Sequence, residues 1–202
     1  MIAIVDVCGG NLRSVAKAVA AVGGDVVVTR DPEVVRAADK LVVPGQGAFA
    51  PFMHGLAERG LEDPIRDAVD RGVPYLGICL GLQVLFDESE EQGPVRGLAL
   101  LPGRVVRFRP DDHALKVPHM GWNRIVQHAP DPLLVGLDTE THYYFVHSYY
   151  AVPDDPALVV LSSHHGVPFC AAVRAGNVFA CQFHPEKSQR AGLGLLAAFV
   201  QS

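Results

Sequence analysis

Hydrophobic residues in the first part of the chain come as short unbroken runs, and helical patterns separate them. Ile2-Ala3-Ile4-Val5 opens a buried strand predicted over residues 2–7. Leu12, Val15, Ala16, Val19 and Ala20 then fall on one helical face, from Asn11-Leu12 to a stop at Gly23-Gly24. A second strand is predicted over residues 25–29. Asp31-Pro32-Glu33 opens the next helix, with Asp as N-cap and Pro at the first helical position. Leu41-Val42-Val43-Pro44 is a third strand that runs into the loop Gly45-Gln46-Gly47, and Leu61, Ile65, Ala68 and Val69 mark a helix before a central strand at residues 73–78. Such β–α units with apolar strands predict an α/β fold: a mostly parallel central sheet with helices on both faces.

The second half changes character. Short strands are predicted over residues 105–108, 122–126, 143–150, 158–162, 169–173 and 178–183, joined by Gly, Pro and Asp turns, and a last helix over residues 188–200. These strands predict an antiparallel β extension of the parallel sheet. No internal repeat, low-complexity tract or linker breaks the chain, so residues 1–202 are read as one domain.

Composition narrows the function classes. With 49% hydrophobic and 19% charged residues, the chain can bury a sizeable core. A net charge of −5 with scattered Lys and Arg gives no footprint for nucleic acid. A strand beginning at residue 2 leaves no room for a signal peptide, and no apolar stretch approaches the roughly 20 residues that span a bilayer. A cytoplasmic protein without a membrane partner is expected. Cys8, Cys79, Cys170 and Cys181 lack metal-like spacing and read as free thiols; the nine histidines form no ligand pair, so neither metal nor cofactor is expected.

Two stretches could carry chemistry. Val73-Pro74-Tyr75-Leu76-Gly77-Ile78-Cys79-Leu80-Gly81-Leu82-Gln83 ends an apolar run at a cysteine with glycine two residues to either side. That is the layout of a nucleophile elbow, in which a strand delivers a side chain to a tight turn and the following helix N-terminus favours the thiolate. Gly-x-Cys-x-Gly alone fits a buried structural cysteine equally well. The second stretch is Gln182-Phe183-His184-Pro185-Glu186-Lys187, where His184 could take the proton from Cys79 and Glu186 could orient the imidazole. A satisfied surface His–Glu pair explains that stretch as well. The backbone N–H of Leu80 and the loop Gly45-Gln46-Gly47 would supply an oxyanion hole.

These motifs together resemble the class I (triad) glutamine amidotransferases, whose fold is flavodoxin-like. Further stretches are similar to one of their families, the glutaminase subunit of imidazole glycerol phosphate synthase: Gly10-Asn11-Leu12-Arg13-Ser14, Val117-Pro118-His119-Met120-Gly121-Trp122-Asn123, Tyr144-Phe145-Val146-His147-Ser148-Tyr149-Tyr150 and Val43-Pro44-Gly45-Gln46-Gly47. The resemblance implies that glutamine is hydrolysed to glutamate through a thioester on Cys79, with His184 as base and acid and Glu186 as its orienter. It implies an oxyanion hole at Leu80, Gln46 and Gly47, and glutamine contacts at Gly45, Gly47, Gln83, Ser148 and Tyr149. It also implies a heterodimer with a (β/α)8-barrel cyclase, which receives the ammonia in histidine biosynthesis and docks near Asn11, Trp122, Tyr144 and Lys187.

Two departures stand out. Gln46 occupies a position where the family's Pro-Gly-x-Gly loop has a small aliphatic residue, and Asp6-Val7-Cys8-Gly9-Gly10 replaces an aromatic-Gly-x-Gly sequence. Cys8 is therefore read as a packing residue or an incidental thiol. The alternatives are the glutaminase of another synthase, such as that of pyridoxal phosphate, and a non-catalytic flavodoxin-like module. His-Met-Gly-Trp-Asn argues against the first, and the pairing of His184 with Glu186 against the second.

Overall fold

In the computed structural model, which describes all residues except Asp111, His113, Ala114, Asp138 and Thr139, the first half alternates as expected. Its elements are β1 (Ile2–Val5), α1 (Leu12–Ala21), β2 (Val26–Thr29), α2 (Pro32–Arg36), β3 (Lys40–Gly45), α3 (Phe49–Glu58), α4 (Glu62–Asp70), β4 (Tyr75–Cys79) and α5 (Leu80–Gln83). The second half adds β5 (Glu88–Ser89), β6 (Val95–Arg96), β7 (Gly103–Arg107), β8 (His119–Asn123), β9 (Val126–Gln127), β10 (Tyr143–His147), β11 (Tyr149–Pro153), β12 (Val159–His165), β13 (Val167–Ala175), β14 (Val178–Cys181) and α6 (Gln189–Gln201).

The main sheet runs β2-β1-β3-β4-β14-β13-β12-β9. Its first five strands are mutually parallel, and β13, β12 and β9 continue it antiparallel. A sheet β11-β7-β5-β6 and a β8–β10 ribbon flank it.

Apolar strands make this sheet a partition with a core on each side. Leu41, Val43 and Tyr75 face one core with Phe52, Leu56 and Ile65 of α3 and α4. Ile4, Val42 and Ile78 face the other with Val15 and Val19 of α1 and Leu195 and Phe199 of α6. Asp31 caps α2 as expected, accepting from the Glu33 N–H at 2.9 Å.

Several elements differ from expectation. Helix α3 is absent from the expected elements, and it sets Phe49, Phe52, Met53 and Leu56 on one face toward the first core. Pro51 is tolerated there because the first turn needs no N–H from it. On α1, Ala18 is buried and Ala20 is exposed. The strand expected over residues 143–150 is broken at Ser148: β10 pairs with β8, whereas β11 pairs with β7. The expected 122–126 strand likewise divides between β8 and β9. Alternation of side chains carries no information about a change of partner, so both breaks are invisible in the pattern.

Candidate active site

The parallel strands end on one edge, and the carboxyl ends of β1, β3, β4 and β14 bring Asn11, Gln46, Cys79 and His184 to it, the place where open α/β sheets hold their sites. Cys79 is the last residue of β4, with φ 57° and ψ −106°. A side chain at positive φ is strained, and the strain turns the strand at once into the single helical turn α5. The two glycines are required by contact. A Cβ on Gly81 would lie 1.7 Å from the Val43 carbonyl oxygen, and one on Gly77 would lie 2.3 Å from that of Gly81. The buried Tyr75 hydroxyl donates to the Gly81 carbonyl at 2.8 Å and pins the turn from below.

Strand β14 lies beside β4 with Cys181 opposite Ile78, so the residues after it pass next to the elbow. His184 N–H donates to the Tyr144 carbonyl at 2.9 Å. The buried Ser188 hydroxyl donates to the His184 carbonyl at 2.7 Å and accepts the Tyr144 N–H at 3.0 Å. The His184 backbone is therefore tied to β10 directly and through Ser188. The imidazole Nδ1 is 2.8 Å from Glu186 Oε1. A carboxylate only accepts, so Nδ1 carries a proton and Nε2 is the nitrogen left to exchange one with Cys79. Nε2 is buried and carries no closed hydrogen bond. Burial opposes the imidazolium, but the nearby Cys79 sulfur and the Glu186 carboxylate outweigh it and raise His184 to about 9.

Glu186 has no side-chain exposure. Its Oε1 also accepts from Asn11 Nδ2 at 2.5 Å, while its Oε2 is buried without a partner among the described residues. A cavity of about 10 Å³ behind the triad is bounded by Asn11, Gly45 and Gln46 together with His184 and Glu186. A strained cysteine, an imidazole with a free nitrogen and a buried orienting carboxylate form the constellation of nucleophilic acyl transfer.

Comparison with known proteins agrees. The family model described as glutamine amidotransferase class-I matches residues 3–201. The chain is 54% identical to the imidazole glycerol phosphate synthase subunit HisH of Syntrophotalea carbinolica, covering 98% of each chain. It is 50% identical to that of Nitrosomonas europaea over 99% of this chain and 97% of the relative. The chain belongs to the HisH family of class-I glutamine amidotransferases.

A solved glutamine amidotransferase matches with a TM-score of 0.73 at 23% identity over 98% of this chain and 99% of the other, and the PurLQS structure from Thermotoga maritima with 0.75 at 18% identity over 99% and 96%. At such identity these two speak for the fold alone.

In this HisH-family chain a cleft of about 400 Å³ opens over Cys79. Among the expected site residues, Gln46, Gly47, Leu80, Gln83, Ser148, Tyr149 and His184 line it. Gly45 does not line this cleft: it is buried at the end of β3, where a Cβ would lie 2.5 Å from that of Leu80. Gly47 has φ +97°, a conformation favouring glycine, and the Gln46 side chain lies over Gly10. Leu80 N–H belongs to the first helical turn and has no intrahelical acceptor.

Of the expected partner residues, three lie together. Trp122 is 49% exposed rather than a core aromatic, its ring centroid is 5.8 Å from that of Tyr144, and Lys187 Nζ is 5.5 Å above the Tyr144 ring. Asn11 reaches Glu186, the residue before Lys187. Tyr144 and Lys187 also line the cleft.

Sequence reasoning missed three residues of the site. Glu91 lines the cleft, and its Oε2 accepts from the Phe49 N–H at 2.8 Å at the start of α3; it ends a run of acidic residues that reads as solvated surface. His147 lines the cleft at the end of β10 and is pushed down by burial to about 3. Gln182 donates to Cys79 Sγ at 3.5 Å. Its only signal was its place beside Phe183 and His184 in the second motif.

Cys8 is exposed rather than packed in the core, and all four cysteines are free thiols. Among the described residues no group of three or more His, Cys, Asp or Glu is placed to hold a metal ion, and no helix is long and apolar enough to cross a membrane.

Proposed function

We propose that this protein is the glutaminase subunit of an imidazole glycerol phosphate synthase, hydrolysing glutamine to glutamate and ammonia for histidine biosynthesis. The observation that carries the mechanism is the buried His184–Glu186 pair just after the strand adjacent to the Cys79 elbow. The Cys79 sulfur, its proton passed to His184 Nε2, attacks the side-chain amide carbon of glutamine. The developing oxyanion is held by the N–H groups of Leu80 and of the Gln46–Gly47 loop. His184 Nε2 delivers a proton to the departing ammonia, leaving a γ-glutamyl thioester. His184 then takes a proton from water as the water oxygen attacks the thioester, and the C–S bond breaks to return the thiolate.

The cleft also fits the free amino-acid end of the substrate. Both Gln83 Nε2 hydrogens are committed, to the Tyr149 carbonyl at 2.9 Å and to Gln182 Oε1 at 3.0 Å. Gln83 can therefore offer the cleft only its Oε1, an acceptor. With the Glu91 carboxylate it suits the α-ammonium group, which leaves the Ser148–Tyr149 segment for the α-carboxylate. Gly45 takes the role of a packing residue that lets β3 close against α5.

The ammonia acceptor is a separate (β/α)8-barrel cyclase. Met120 and Trp122 of β8 project from the ribbon with Val146 and Tyr144 opposite them on β10. That face continues into the cleft rim through Tyr144, Val146 and Lys187, so a partner seated on it covers the site where ammonia forms.

The deciding experiment is Cys79→Ala. We expect glutamine hydrolysis to vanish while folding and cyclase binding persist, since only the attacking sulfur is removed. A variant with full glutaminase activity would refute the reading.

A further inference from the structure

The Cys79 sulfur has a hydrogen-bond donor that the triad does not account for. Gln182 follows β14 directly and is fully buried, and its carboxamide nitrogen stands 3.5 Å from Cys79 Sγ. The two ends of a carboxamide have the same shape, so what faces the sulfur is decided by the partners of the other end.

Those partners leave one choice. The Tyr149 carbonyl can only accept, and Gln83 lies 2.9 Å from it, so the Gln83 end there is its nitrogen. The second hydrogen of that nitrogen goes to Gln182 at 3.0 Å, so the Gln182 end there is its oxygen. What remains for the sulfur is an N–H. The Tyr149 carbonyl is itself held by His147 Nδ1 at 2.8 Å. His147 Nε2 then accepts from His119 Nδ1 at 3.2 Å, and His119 Nε2 accepts from Asn123 Nδ2 at 3.2 Å. One carbonyl thus orients two chains of donors, and one of them ends on the nucleophile.

We propose that Gln182 is a further catalytic group, whose N–H holds Cys79 as the thiolate, and that Gln83 is the positioning residue that turns this N–H toward the sulfur. The proposal rests on the reading of Cys79 as nucleophile. Cys79 is only 6% exposed, and His184 is the titratable group beside it. An N–H donor stabilises the anion. It acts at two points in the cycle. Before acylation it raises the thiolate fraction that attacks the amide carbon. During hydrolysis the thioester C–S bond breaks, its electron pair returns to sulfur, and the N–H···S bond strengthens as the charge appears.

The test is the pH dependence of Cys79 alkylation by iodoacetamide in the isolated full chain. Mass spectrometry of the Cys79 peptide separates it from the exposed Cys8. In Gln182→Met we expect the alkylation midpoint to rise by about one pH unit, which is about tenfold slower reaction well below the midpoint. Gln182→Glu should raise it further, because a carboxylate then faces the sulfur. Gln83→Met should also raise it, without having touched the sulfur. In Gln182→Met the fall in activity should be in kcat, with KM for glutamine little changed.

An unchanged midpoint in folded Gln182→Met overturns the role of Gln182, and one in folded Gln83→Met overturns the positioning role of Gln83. A second measurement needs no variant of Gln182. In wild-type protein its side-chain amide NMR signals should titrate with the alkylation midpoint, and they should not do so in Cys79→Ala. Signals that stay flat in wild type overturn the proposal. Either failure leaves the nucleophile reading standing, because that reading is judged by the activity of Cys79→Ala.

Discussion

At the scale of single residues, the site is a set of donors and acceptors with little slack. Glu186 shows this best: its Oε1 receives both His184 and Asn11, and its buried Oε2 receives nothing from the described residues. A buried carboxylate with two donors depends on each of them, because losing one leaves charge unsatisfied. Asn11 thus bonds the carboxylate of the His–Glu pair, besides the partner contact expected for it. Asn11→Ala should lower kcat for glutamine by about tenfold with KM little changed, the order of one hydrogen bond to a charged group. Asn11→Asp should be worse, since two carboxylates would face each other. Steady-state kinetics of both variants check this, and an Asn11→Ala enzyme with wild-type kcat would remove Asn11 from the triad. Cys79, His184 and Glu186 were legible in the sequence because short motifs fix their neighbours. The bond from Asn11 spans 175 positions, so no local pattern could express it.

At the scale of elements, the parallel half of the sheet was legible and the β8–β10 ribbon was not. Apolar runs separated by helical patterns are a local signal. The ribbon is held by side chains that sequence patterns treat as polar. Inside it, His119 and His147 form a hydrogen-bonded pair, with His119 stacked 4.3 Å from His165 and Phe108 packed against all three. Burial lowers His147 to about 3, and burial with the neighbouring His165 lowers His119 to about 4. Both groups are neutral in the fold, and their unfolded forms take up protons near 6.5. The unfolded chain therefore binds more protons between about 4 and 6.5, and stability in that window rises with pH. The contribution is complete above pH 6.5 and drains away as pH falls toward 4. Denaturant unfolding should show a steady loss of stability from pH 7 to pH 5, and His147→Gln should flatten that loss. A stability independent of pH across this range in the wild type would contradict the neutral pair.

At the scale of the molecule, one ribbon joins the two things this protein has to do. The outer face of β10 carries Tyr144 and Val146, beside Met120 and Trp122 of β8, and its backbone at Tyr144 holds His184. A partner that presses on this face acts on the strand that holds His184. Trp122 is the natural anchor, as a large, half-exposed aromatic on the same strand as the exposed Met120, and such residues dominate interface energies. Trp122→Ala should weaken association with the cyclase by about thirtyfold, in line with a hot spot of about 2 kcal/mol. The isolated variant should hydrolyse glutamine at the wild-type basal rate, because Trp122 does not line the cleft. Stimulation by the cyclase should return when the cyclase is supplied in excess, since the mutation removes affinity and leaves the strand intact. Titration calorimetry gives the first number and glutaminase assays at rising cyclase concentration the second. If stimulation stays absent at saturation, Trp122 transmits the signal as well as anchoring the partner. If affinity is unchanged, the cyclase docks elsewhere and the apolar face of the ribbon needs another occupant.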